Sequence, residues 1–96
     1  MRGCEAEERL AECKSYLEEG FSPFYDHWKG DRCMVVCIAK DADILEPVVV
    51  YQHVKTGEYF TRLAMEFFEY IERETYKGFR FTNADLVMSP VCSVVD

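Results

Sequence analysis

Two short segments of this chain are apolar on both strand faces, and this pattern limits the folds open to it. They are residues 33–39 and 48–50. A strand that packs on a core with one face and meets water with the other alternates apolar and polar residues, whereas these segments do not. We therefore expect a second layer over the sheet, supplied by an N-terminal helix, the C-terminal tail or a second subunit. In a chain of 96 residues this requirement favours a homodimer or larger homo-oligomer over a monomer.

The first twenty residues predict an amphipathic helix. Ala6, Leu10, Cys13 and Leu17 recur at helical spacing and form one apolar stripe, while glutamates cover the other faces. Gly20 is a natural residue to end the helix, which we assign to residues 3–20. Because the stripe is narrow and weakly hydrophobic, we expect it to pack on the sheet or on a copy of itself.

Residues 21–82 have the composition of a small β domain. Runs rich in aromatic and β-branched residues are separated by short polar or glycine-containing turns. Residues 67–73 fit either a strand or a helix, and a strand is favoured because Lys77-Gly78 would then form the turn of a hairpin. Residues 83–96 are expected to form a C-terminal tail or an edge strand. The predicted strands are residues 24–28, 32–40, 46–53, 58–61, 67–73 and 79–81.

These elements predict a single domain over residues 1–96. Its expected class is mainly β (α+β), either a small twisted sheet or an SH3-like barrel preceded by one N-terminal amphipathic helix. The chain has room for one modest core, and its 15% aromatic content gives such a core much burial per residue.

The charge of the chain argues against several classes of partner. Acidic residues outnumber basic ones 18 to 11, for a net charge of −7. Coating of nucleic acid requires a basic surface, and anionic membranes repel an acidic protein. The apolar runs are too short to span a bilayer. Residues 1–20 are too charged for a secretory signal, and the odd count of five cysteines includes no CxxC. A cytoplasmic location is therefore expected.

The cysteines and histidines raise the question of a metal site. On a strand, Cys33 and Cys37 would lie about 13 Å apart along the axis at ~3.3 Å per residue. Two ligands of one zinc ion lie within roughly 4 Å of each other. We therefore expect no metal or other cofactor, and predict that both thiols are buried on the face that carries Val35. No nucleophile stands beside a base and no glycine-rich phosphate loop is present, so we expect no enzyme.

Cationic and aromatic residues fall at the ends of the predicted strands. His27 shares a strand face with Tyr25, and Lys29 follows at the end of the same strand. Cations and rings together suit a flat anionic ligand, which they bind by stacking and charge-assisted hydrogen bonds. The alternative is that the arginines pair with surface glutamates and His27 is a structural histidine. The candidate ligand-binding residues are Tyr25, His27, Lys29, Tyr51, Tyr59, Arg62 and Arg80.

An ordered set of short motifs spans residues 25–81. It comprises Tyr25-x-His27-x-Lys29-Gly30, a hydrophobic strand ending in Ala39-Lys40, the segment 46–51, Arg62 before Phe67, and Arg80-Phe81. In order and approximate spacing this set resembles a small bacterial and phage family, the domain of unknown function 1653. The resemblance implies a compact SH3-like β-barrel without a known cofactor, and it leaves the activity open. The chain departs from the family pattern at Leu63-Ala64, where Pro-Leu is common, and at residues 56–60, where a glycine-rich, Trp-containing turn is expected.

Two functions follow as hypotheses. The first is a non-catalytic module that binds a small anionic, nucleotide-like ligand or a peptide segment. One variant of it is a phage-type sponge that sequesters a nucleotide signal, with the site completed at a subunit interface. The second is a protein–protein interaction or assembly module without a small-molecule site, favoured by the strands that are apolar on both faces.

Overall fold

The computed structural model describes residues 2–88, with their side chains from residue 5 onward. It confirms a small α+β fold with one long N-terminal helix and a β-rich remainder. The elements in chain order are α1 (Arg2–Glu18), β1 (Ser22–His27), β2 (Arg32–Lys40), β3 (Pro47–His53), β4 (Tyr59–Leu63), α2 (Ala64–Phe67), β5 (Tyr70–Arg73), β6 (Tyr76–Phe79) and β7 (Phe81–Met88).

Five of the strands form one antiparallel sheet. Their order is β4-β3-β2-β1-β7, and β5 and β6 form a separate two-stranded hairpin. The β4 and β7 strands lie at opposite edges and do not pair with each other. Within residues 2–88 the sheet is therefore open, as in the first of the two predicted architectures, and closure into an SH3-like barrel is not observed.

The predicted amphipathic helix packs on one face of this sheet. Ala6, Leu10 and Cys13 of α1 are buried in the same core as the strands, and Leu17 packs against its margin. Gly20 follows the helix with a φ of 92°, a left-handed conformation that costs glycine little. We call the sheet face beneath α1 and α2 the inner face and the opposite one the outer face.

An aromatic cluster fills the space between the inner face and the helices. Phe67 of α2 has no exposed surface; its ring stacks on Phe81, with centroids 3.9 Å apart, and meets Tyr25 and Tyr51 edge-on. Phe68 is equally buried beside it. Each such ring removes a large apolar area from water, so this cluster is the main source of burial in a small domain.

The segment predicted as a strand over residues 67–73 divides into two elements. Phe67 ends the one-turn helix α2, and only Tyr70–Arg73 is a strand. The expected turn at Lys77-Gly78 is wrong, because both residues belong to β6 and the turn lies at residues 74–75. Residues 83–88 lie in edge strand β7, one of the two alternatives expected for residues 83–96, while residues 89–96 lie outside the described residues.

A β-bulge in β2 corrects the prediction for the cysteines. The register with β3 shifts between Val35 and Cys37, so alternation resumes with opposite phase. Cys33 and Val35 are buried on the inner face as predicted, but Cys37 is exposed. The extra residue turns its side chain to the outer face, opposite Val50. The prediction that Cys37 is a buried thiol is wrong for this reason.

The second layer predicted over the sheet is only partly present. Both helices pack on the inner face, while Val48 and Val50 on the outer face are half-buried and Val36 is 37% exposed. Among residues 2–88 no helix covers the outer face. None of the helices described is both long enough and apolar enough to cross a membrane.

Candidate ligand-binding site

The helices leave one end of the inner face uncovered, and a pocket of about 220 Å³ lies there. Because side chains alternate between faces, every second residue of the strands points into it. Strand β3 lies at the middle of the pocket and contributes Tyr51 and His53. Strand β4 lies on one side of β3, and β1 and β7 lie on the other. The lining residues are His27, Asp31, Cys33, Tyr51, His53, Phe60, Arg62 and Phe81.

Three of the predicted ligand-binding residues meet in this pocket. His27 comes from β1, Tyr51 from β3 and Arg62 from β4. They lie far apart in sequence but on the same sheet face, since Arg62 pairs with the inward-facing Val49 and Tyr51 pairs with Phe60. Three of the seven candidate residues therefore line one concavity.

The structure does not bring three other predicted residues into the pocket. Tyr25 is 1% exposed and packs edge-on against Phe67, so a ligand at the surface cannot reach it. Tyr59 is 64% exposed but lies on the outer face, opposite Gln52. Arg80 donates hydrogen bonds to the Glu66 carbonyl and the Glu69 carboxylate.

For Arg80, therefore, the alternative of pairing with a surface glutamate is observed. The Arg80 guanidinium lies 2.9 Å from Glu69. Lys29 stays near the pocket without lining it: its ammonium group lies 5.3 Å from the centre of the Trp28 ring. The charges of both cations still lower the pKa of His27 in the pocket.

His27 is held in its neutral form. Burial lowers its pKa below the ordinary value of 6.5, and the positive charge of Arg62 lowers it further, with smaller contributions from Arg80 and Lys29 opposed by Asp31. Its Nδ1 accepts a hydrogen bond from the Lys29 backbone N–H at 3.1 Å. The ring hydrogen therefore resides on Nε2, which makes His27 a hydrogen-bond donor at neutral pH.

Arg62 is a cation without an anionic partner among the described residues. Its Nε is buried and makes no hydrogen bond within that part of the chain, and its guanidinium lies 6.0 Å from the centre of the Phe81 ring. A buried donor that lacks a partner costs about 1–3 kcal/mol, more when it is charged. Arg32 and Arg80 pair with the carboxylates of Asp26 and Glu69, whereas Arg62 leaves a buried N–H beside a pocket, and this indicates a place for an anion.

The pocket also contains residues that sequence reasoning missed. His53 and Asp31 face each other across its rim, with 3.7 Å between the imidazole Nε2 and the carboxylate. Phe60 tilts against Tyr51 with ring centroids 5.9 Å apart. Strand alternation carried the signal for two of them, because His53 is two residues after Tyr51 and Phe60 two residues before Arg62.

The buried thiols give this site no nucleophile. Burial raises the pKa of Cys33, at the base of the pocket, to about 12 and that of Cys13, beneath the helix, to about 11. Both are therefore protonated at neutral pH, and the thiolate is the reactive form. No group of three or more His, Cys, Asp or Glu side chains in the described part of the chain is arranged to hold a metal ion.

A larger groove of about 560 Å³ lies elsewhere, between the end of α1 and β2. Leu17 and Ile38 form its walls, and its charged groups are the exposed side chains of Lys14, Glu18 and Lys40. These groups are free to turn into solvent, so they fix no ligand. The smaller pocket, with its held histidine and unpaired arginine, is the better candidate site.

One of the three comparisons with known proteins gave a match. A family model described as "Protein of unknown function (DUF1653)" matches residues 23–83, which include every residue of the pocket but not α1. Neither the curated proteins nor the solved structures gave a match. Since the family model matches well over half of the 96 residues, the chain belongs to the DUF1653 family, whose function is unknown.

Proposed function

We propose that this protein is a non-catalytic binding module whose pocket takes a small anionic ligand that carries a flat ring. The observation that carries the proposal is Arg62, a partly buried cation with an unsatisfied Nε beside a pocket. An anionic group would form charge-assisted hydrogen bonds with it. The rings of Tyr51, Phe60 and Phe81 would contact the flat part of the ligand.

The remaining polar groups fit the same kind of ligand. Neutral His27 donates a hydrogen bond from Nε2, whereas Arg62 supplies the positive charge that attracts the anion. Asp31 opposes an anion by its charge, but it lies at the rim, 58% exposed and facing His53. On an acidic surface, this arrangement concentrates the attraction for an anion at one place.

The size of the pocket limits the ligand. A volume of about 220 Å³ corresponds to about seven water molecules at ~30 Å³ each. This accommodates a phosphate with part of a ring system, as in a nucleoside monophosphate, and leaves a larger ligand partly outside. A sponge that sequesters a nucleotide signal is a finer form of the same function, and it requires tight binding without turnover.

A thermal-shift series tests the proposal directly. Nucleoside 5′-monophosphates, the matching nucleosides and inorganic phosphate are compared at equal concentration. A ligand at a hundred times its Kd adds about 2.7 kcal/mol to stability, which for a domain of this size raises Tm by about 10 °C or more. We expect the monophosphates to give the largest shift, and ³¹P NMR to show that they remain unchanged, as binding without catalysis requires.

A matched pair of variants assigns the effect to the pocket. Arg62→Ala removes the proposed anion ligand, whereas Arg73→Ala removes the same charge from the exposed hairpin, where Arg73 bonds to the neighbouring Glu72 carbonyl. We expect the first variant to lose the shift and the second to keep it. The proposal is wrong if none of the compounds raises Tm, or if Arg62→Ala responds as the wild type does.

A second candidate function, a protein-interaction module, is favoured by a different observation. The edge strand β4 exposes aromatic side chains, Tyr59 at 64% and Phe60 at 43%. Exposed apolar residues beside an unpaired strand edge are typical of surfaces that bind another chain.

A further inference from the structure

The two edges of the sheet differ in how they are protected against pairing. At the β7 edge, the register with β1 shifts between Pro23 and Tyr25, and Asp85 adopts a left-handed φ of 59°. Bulges and charges of this kind prevent another strand from adding to an edge. The β4 edge has no bulge, since all five residues of Tyr59–Leu63 pair with β3 in one unbroken register, and its charged residue, Arg62, lies on the inner face beside the pocket.

The hydrogen-bonding direction of β4 follows from one observed contact. The His53 N–H donates to the Glu58 carbonyl at 2.8 Å. Because the two sides of an antiparallel strand alternate, residues 58, 60 and 62 direct their backbone groups toward β3. Tyr59, Thr61 and Leu63 direct theirs away from the sheet, where no other strand within residues 2–88 accepts them.

We propose that a second copy of this chain pairs antiparallel with the β4 edge across a two-fold axis at Thr61. In this register Thr61 meets the partner's Thr61, and Tyr59 meets the partner's Leu63. Every outward backbone group of the strand then gains a partner, and two five-stranded sheets become one continuous sheet. The proposal goes beyond the ligand pocket and does not require it to bind anything.

The side chains of β4 complement themselves in this register. Phe60 lies opposite the partner's Arg62, so the only charge of the strand meets an aromatic ring instead of a second cation. The glutamate-rich surface of α1 would instead bring like charges together, in a chain of net charge −7. The partner's Phe60 also comes to lie beside Arg62, at the mouth of the pocket.

Substitutions that place like or opposite charges at the two-fold axis test the proposal. Residue 61 faces its own copy, so Thr61→Lys and Thr61→Glu each place two like charges directly opposite each other. We expect sedimentation analysis to give a dimer for the wild type and monomers for both variants. Mixing the two variants should restore a dimer, because lysine then faces glutamate. Thr61→Val, which keeps the shape and the backbone N–H, should remain dimeric.

Hydrogen exchange of the wild type provides a second measurement that needs no substitution. The amides of Tyr59, Thr61 and Leu63 should become more protected as protein concentration rises, while the Phe60 and Arg62 amides are protected throughout. Circular dichroism checks that each variant folds. A monomeric wild type, variants that stay dimeric, a mixture that stays monomeric, or exchange that does not depend on concentration would each overturn the proposal.

Discussion

The two ends of the inner sheet face have similar aromatic side chains, but the helices cover one end and leave the other open. Under α1 and α2, Tyr25 is sealed in the core against Phe67 of α2, and the described residues bury a tyrosine hydroxyl, thiols and an amide group there. Beyond the helices, Tyr51 and Phe81 continue the aromatic surface but line a pocket together with His27 and an arginine. The strands alone do not determine which part of the inner face is core and which part is the site. The part of that face that the helices cover determines it.

This difference explains why charge is tolerated at one end only. A cation in the covered end would lose its hydration without compensation, whereas at the open end water or a ligand can reach part of the guanidinium. Arg9 of α1 marks the boundary. Its guanidinium donates to the Phe68 and Phe81 carbonyls and lies 4.0 Å from the centre of the Phe79 ring, so it fastens the helix at the border of the covered end.

The largest effect is expected at the centre of the covered end. Phe67→Ala removes a fully buried ring that contacts four other rings. We expect it to lower the free energy of unfolding by about 3–5 kcal/mol, through lost burial and the cavity that remains. Urea unfolding measures this loss. Ile44→Ala, which shortens an apolar side chain that is 56% exposed, should cost no more than about 0.5 kcal/mol. Equal losses in the two variants would contradict the division between covered and exposed apolar side chains.

A smaller loss is expected at the boundary itself. Arg9→Met keeps most of the apolar stem and removes both hydrogen bonds to carbonyls as well as the contact of the cation with Phe79. Hydrogen bonds from charged groups contribute about 1.5–3 kcal/mol, so we expect a loss of about 2 kcal/mol in urea unfolding. Lys14→Met makes the same change of charge at an exposed position of α1 and should be nearly neutral. If the two variants were equally stable, Arg9 would not fasten the helix.

The sequence predicted the elements better than it predicted how they are covered. Helical spacing and strand alternation are local, so α1, the span of β2 and the shared face of Tyr25 and His27 followed from them. Alternation fails where a single residue is inserted, and the bulge after Val35 accordingly reversed the face of Cys37. No local sequence pattern in β2 predicts such a bulge.

The same distinction applies to the candidate site: local patterns predicted some of its residues, and packing between distant elements decided the position of the others. His27, Tyr51 and Arg62 were identified because cations and rings were sought at strand ends. Tyr25 belonged to the same set by composition, but α1 and α2 cover it, and packing between distant elements cannot be derived from spacing. Arg80 was separated from the pocket by Glu69, eleven residues earlier in the chain, a pairing that depends on the path of the β5–β6 hairpin.

The smallest effect concerns the charge coupling at the open end. Because the pKa of His27 lies below its ordinary value in the folded state, neutral His27 stabilises the fold at neutral pH, and this stabilisation is lost as the pH falls below about 6.5. Arg62→Ala removes the largest charge that opposes protonation, so we expect the pKa of His27 to rise, although burial keeps it below the ordinary value. NMR titration of the imidazole measures this directly. The loss of stability in acid should become shallower in the same variant.

Arg62→Lys keeps the charge and Arg73→Ala lies on the hairpin, so both should leave the pKa of His27 low. A titration of His27 that is the same in Arg62→Ala as in wild type would mean that the two residues do not share one pocket.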